Sequence, residues 1–152
     1  MYAYRLMNGG AEPRKTTEVV VTVTQNPRSI PRSVGAVLSG FLAVVVLSIG
    51  TDMLLQATGI FPPFSEPKKF TTPLLLVAMT YRAIYGAFGG YITALLAPRR
   101  PMVHALALGA VGLLLSVAGA FVMRDQGHAW YSLALIVLAL PSAWLGGRLA
   151  RR

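Results

Sequence analysis

The chain is expected to be an all-α integral membrane protein, a bundle of four transmembrane helices with both termini in the cytoplasm. Three observations lead there. Of its 152 residues, 55% are hydrophobic and only 12% are charged, with a mean hydropathy of +0.59; an ordinary soluble domain carries roughly 25% charged residues. The apolar residues collect into four runs, near 34–59, 73–97, 102–123 and 129–149, each meeting the ~20 residues that a spanning helix requires. The alternating apolar and polar segments of a membrane barrel are absent. Backbone polar groups in hydrocarbon must be satisfied within helices or closed barrels, which leaves the helical bundle.

Residues 1–32 read as a flexible cytoplasmic tail, and 33–152 as the membrane domain. Residues 18–24 (EVVVTVT) are β-branched, but a lone exposed strand is marginal, and Pro27 and Pro31 punctuate the chain just after it. Residues 1–15 lack the apolar core of a signal peptide, so the first helix is expected to act as an uncleaved anchor. After it, 60–72 (IFPPFSEPKKFTT) forms a loop stiffened by Pro62, Pro63 and Pro67. Its Phe61, Phe64 and Phe70 are expected to dip into the membrane interface. A tight turn, Pro98-Arg99-Arg100, joins the second run to the third. Trp130 and Tyr131 open the fourth at the interface, where amphipathic rings prefer to sit.

Lysine and arginine set the orientation. Arg5, Arg14, Lys15, Arg28 and Arg32 precede the first helix, Arg99 and Arg100 fill the second loop, and Arg148, Arg151 and Arg152 end the chain. The opposite face receives only Lys68, Lys69 and Arg124. The richer face is the cytoplasmic one. The net charge of +9 is therefore read as membrane flanks facing a lipid bilayer, and no nucleic-acid partner is expected.

Two charges lie inside the apolar runs. A charge within a span costs at least ~2.5 kcal/mol on insertion scales, so it needs a partner or a task. Ser48, Asp52 and Gln56 share one face of the first helix, and Arg82 lies on the second with Tyr81 and Tyr85 beside it. At ~1.5 Å per residue, Asp52 sits ~10 Å and Arg82 ~13 Å from the same membrane face. The two can meet as a guanidinium–carboxylate pair, with tyrosine hydroxyls for the remaining lone pairs. This intramembrane polar site has three readings: a neutralised pair that fixes helix packing, a solute or proton site, or two charges that each snorkel separately to water.

Helices in lipid associate through small residues. Gly86 and Gly90 on the second helix, Gly109, Gly112 and Ser116 on the third, and Gly146 on the fourth are the expected packing positions. Pro141 should kink the fourth helix. Gly89-Gly90 and Gly146-Gly147 hint at two related halves with an axis along the membrane normal.

Catalytic residues are not expected. His104 lies at the opposite membrane face from Asp52, too far for a base and its orienter. Asp125, His128 and Glu66 share one side without metal-ligand spacing, and no phosphate loop or dinucleotide fingerprint occurs. No metal and no cofactor are expected.

Thr51-Asp52, Tyr81-Arg82, Gly89-Gly90-Tyr91, the 97–102 segment APRRPM, His104-Ala105, Trp130-Tyr131 and the 143–147 segment AWLGG resemble a group of small, uncharacterised four-helix bacterial inner-membrane proteins with no assigned activity. The resemblance covers the spans and not the tail. It implies the topology and a bacterial inner-membrane location, and nothing chemical. The function expected is a non-enzymatic interaction or accessory subunit, with a homo-oligomer or another membrane protein as partner and a structural Asp52–Arg82 pair. The alternative is a small solute transporter or proton-coupled carrier using the same two residues.

Overall fold

The computed structural model describes residues 29–122, 124–125 and 128–151, and the tail expected over most of 1–32 lies outside them. The chain is all-helical: α1 (Ser29–Ala57), α2 (Thr72–Leu96), α3 (Pro101–Val122) and α4 (Ala129–Leu149), with one 3₁₀ turn, Pro67–Lys69, between α1 and α2. Ile30–Ala57, Pro101–Val122 and Ala129–Leu149 are long and apolar enough to cross a membrane. The remaining run, α2, is diluted by Arg82, three tyrosines and two threonines after its first residue, and alone of the four falls short of that measure.

Helix boundaries follow local chemistry. α1 is described from Ser29, five residues before the apolar run, and includes Pro31. Its end is a Schellman motif: Ile60 N donates to Leu55 O and Gly59 N to Gln56 O, with Gly59 at a φ of 75°. That left-handed position is why the chain turns before reaching the end of the apolar run. Between α2 and α3, Arg100 adopts a φ of 49° and Pro101 opens the next helix. The Arg100 carbonyl receives Val103 N and lies 3.2 Å from His104 Nδ1.

α2 is the central helix. It packs on α1, α3 and α4; α3 packs on α4, α1 touches α3 lightly, and α1 and α4 do not meet. The helix that falls short of that measure is thus the one most wrapped by protein, where tyrosine hydroxyls and a charge can find partners. Large apolar side chains cover the outside. On α1, Ile30, Val34, Leu38, Leu42 and Val46 recur every fourth residue and all are exposed, a face suited to lipid.

Packing differs between the two ends of the bundle. At the end holding the α2–α3 turn, hereafter the proximal end, backbones cross closely at glycines. A Cβ on Gly89 would lie 2.8 Å from Gly40 O, one on Gly90 2.9 Å from Ala143 Cα, and one on Gly146 2.7 Å from Tyr91 N. Gly90 and Gly146, one from each Gly-Gly pair, lie at the α2–α4 crossing, where the two helices run parallel, while Gly89 faces α1 and Gly147 faces α3. Buried residues concentrate here: Ala36, Gly40, Gly89, Gly90, Thr93, Ala94, Ala105, Ala143, Gly146 and Gly147. The distal half, where the other two loops lie, holds far fewer, and cavities open there.

α4 runs unbroken through Pro141. Ser142 Oγ donates to Ala139 O at 3.1 Å, not to the Val137 carbonyl that Pro141 cannot serve.

Candidate functional site

Asp52 and Arg82 meet across the α1–α2 interface in the distal half. Arg82 Nη2 donates to Asp52 Oδ2 at 2.7 Å, a charge-assisted bond of the strong kind. Tyr81, one residue earlier on α2, donates its hydroxyl to Asp52 Oδ1. Both carboxylate oxygens are thereby engaged, and Asp52 is only 7% exposed. The other guanidinium branch leaves the pair: Arg82 Nη1 donates to Tyr131 Oη on α4 at 3.0 Å. Arg82 Nε is buried without a partner.

The direction of the arginine follows from helix geometry. Side chains lean toward their helix N-terminus, which for α2 is the distal end. α4 also begins there, so a residue two positions into it comes within reach. Sequence alone places Tyr131 among interface aromatics. Its partner is signalled only by that lean, and by α4 starting at the end toward which Arg82 points.

The remaining residues expected at the polar site divide. Tyr85 stacks against Tyr81 with ring centroids 5.7 Å apart, but its hydroxyl pairs with Thr51 at 2.9 Å instead of joining the charges. That second α1–α2 hydrogen bond, one residue from Asp52, makes Thr51 a contact that sequence reasoning missed. Gln56 stays outside the network, its Nε2 buried without a partner. Ser48 lines a cavity just proximal to the pair.

That cavity measures about 410 Å³ and is bounded by all four helices, with Phe41, Val44, Leu115 and Leu138 among its apolar walls. A second cavity, about 430 Å³, lies distal to the pair, between the first loop and the start of α4. Asp52 and Arg82 are the two residues that line both. Phe61, expected to dip into the membrane interface, is 4% exposed, stands edge-on to Phe70 at 5.4 Å and walls the distal cavity. Phe64 also lines it but stays 57% exposed. Arg124 and His128 stand at its rim.

The expected packing positions also divide. Gly86 faces Ser142 Oγ, 2.7 Å from where its Cβ would lie; Gly109 faces Ala143 Cβ at 3.0 Å; Gly90 and Gly146 occupy the α2–α4 crossing. Gly112, whose nearest neighbour is Ala139 Cβ at 3.9 Å, and Ser116 border the proximal cavity more than a contact. Among the described residues, no three side chains of metal-ligating type converge.

Searches against protein-family models, curated proteins and solved structures match nothing.

Proposed function

We propose that the chain is a small multi-pass protein of a bacterial inner membrane, with α2 crossing alongside the other three helices and both termini cytoplasmic. Its role is non-enzymatic: an interaction or accessory subunit, as a homo-oligomer or with another membrane protein, in which Asp52–Arg82 is a structural pair. The orientation is supported by the lysine and arginine residues gathered at the proximal end. A span for α2 is supported by its 25 residues, ~37 Å of helix, and by its place between three neighbours.

One observation carries the structural role of the pair. The polar network turns on itself: Asp52 spends both oxygens on Tyr81 and Arg82, and Arg82 spends its second branch on Tyr131. Groups so matched tie α1, α2 and α4 together, although α1 and α4 share no direct contact. Extraction in a mild detergent, followed by mass measurement of the particle, tests the subunit role. The expected result is a fixed-stoichiometry assembly that survives in the Asp52→Asn/Arg82→Gln double variant. A lone monomer from native membranes contradicts it.

A second reading, a small solute or proton-coupled carrier, is favoured by the two cavities on either side of the pair. Its test is proton-coupled uptake in reconstituted vesicles, read with a pH-sensitive dye in the lumen. Uptake that Asp52→Asn abolishes supports the carrier, and its absence leaves the accessory role.

A further inference from the structure

The proximal cavity combines features that a packing defect does not need. It lies at the middle of the bundle, and the glycine crossings border it on the proximal side. Its walls are mostly apolar, yet two hydroxyls from different helices, Ser48 on α1 and Ser116 on α3, border it with no hydrogen-bond partner among the described residues. Its distal wall is the ion pair. Among the described residues, Asp52 and Arg82 are also the only charged side chains along its lining, and they cancel.

We infer that this cavity is a chamber for a small amphipathic molecule of zero net charge, and that the Asp52–Arg82 pair is its charge filter. The class follows from the lining. Apolar walls accept an apolar body, as small-molecule sites of a few hundred Å³ generally do, and the hydroxyls and the pair accept a neutral, dipolar or zwitterionic head. A solute with one net charge would enter a site of low dielectric with nothing left to compensate it, because each half of the pair already neutralises the other. The inference holds under either reading of the protein's role, since it concerns what the chamber admits and not whether anything is carried across.

The chain contains no cysteine, so a thiol can be placed at will. Ser116→Cys puts one in the chamber, and Ser132→Cys puts one in the distal cavity as a control. Both are reconstituted in lipid nanodiscs, where each face of the bilayer meets the reagent. Three probes are used: neutral N-ethylmaleimide, the cationic trimethylammonium-ethyl methanethiosulfonate and the anionic sulfonatoethyl methanethiosulfonate. The Ser132→Cys thiol reacts with all three. The Ser116→Cys thiol reacts with N-ethylmaleimide and with neither charged reagent. Adding Arg82→Gln leaves Asp52 unpaired and admits the cation; adding Asp52→Asn leaves Arg82 unpaired and admits the anion. The rate ratio of the two charged reagents reverses between these backgrounds by roughly a hundredfold, as one uncompensated charge a few ångströms away requires. If one single charge variant does not fold, the other carries the test, its rate ratio shifting from that of the parent by roughly tenfold. A Ser116→Cys thiol silent to N-ethylmaleimide, or one whose reactivity toward the charged reagents is the same with and without the pair, overturns the inference.

Discussion

Arg82 on α2 holds Tyr131 on α4 at 3.0 Å with one guanidinium branch while the other holds Asp52 on α1. A single side chain thereby links two helices that do not touch each other. Inside the bundle this arrangement has a simple cause. The guanidinium cannot shed its charge, and apolar surroundings offer it nothing, so every donor that finds an acceptor removes part of the cost of burial.

Removing the Tyr131 hydroxyl isolates that link. Tyr131→Phe keeps the ring and leaves Arg82 Nη1 without its acceptor, so it is expected to destabilise the protein by ~1–2 kcal/mol. Trp130→Phe next to it, on an exposed ring, is expected to change stability much less. Thermal unfolding of the purified variants in detergent distinguishes the two.

The glycines divide by what a methyl group would meet. Gly90→Ala places a Cβ 2.9 Å from Ala143 Cα, and Gly146→Ala places one 2.7 Å from Tyr91 N. Both press backbone on backbone and are expected to lower the unfolding temperature strongly. Gly35→Ala and Gly119→Ala meet nothing within 4 Å. They are expected to be neutral or to stabilise by up to ~1 kcal/mol, the helix preference of alanine over glycine.

Thr93 is fully buried at the α1–α2 crossing, and its hydroxyl has no partner. Thr93→Val replaces that hydroxyl with a methyl of similar shape. The expected outcome is a gain of ~1 kcal/mol, because a buried unsatisfied polar group is costly, and thermal unfolding measures it. A loss would show that the hydroxyl has a partner when the protein is in its membrane.

Orientation is open to direct labelling, again because cysteine is absent. Lys68→Cys in the first loop is expected to react with an impermeant maleimide added to intact spheroplasts. Arg100→Cys in the α2–α3 turn is expected to react only after the membrane is permeabilised. The reverse pattern would place both termini outside.

Much of this arrangement can be read from the sequence, and the reason lies in particular residues. The runs of α1, α3 and α4 are legible because hydrocarbon tolerates little else over ~20 residues. The Asp52–Arg82 pair is legible because rise per residue puts both at one depth. Tyr131 is not, since its part depends on the reach of a long side chain toward a third helix. Gln56 shares a face with Asp52, yet a common face does not secure a partner. The central place of α2 leaves a trace in its lower hydropathy, whereas the Gly40–Gly89 approach leaves none, because stripes of small residues occur on every helix here. Phe61 is not legible either, because an aromatic ring in a proline-rich loop fits the interface as well as a cavity wall.

The central claim is that Asp52 and Arg82 are structurally coupled, and a double-mutant cycle on thermal stability tests it most directly. Arg82→Gln leaves the buried Asp52 charge unpaired and is expected to cost ~3–5 kcal/mol, Asp52→Asn leaves the half-buried Arg82 unpaired and is expected to cost less, and the double variant removes both charges and recovers much of the loss. Single variants that are as stable as the parent, or a double variant whose loss equals the sum of the two, would contradict the claim.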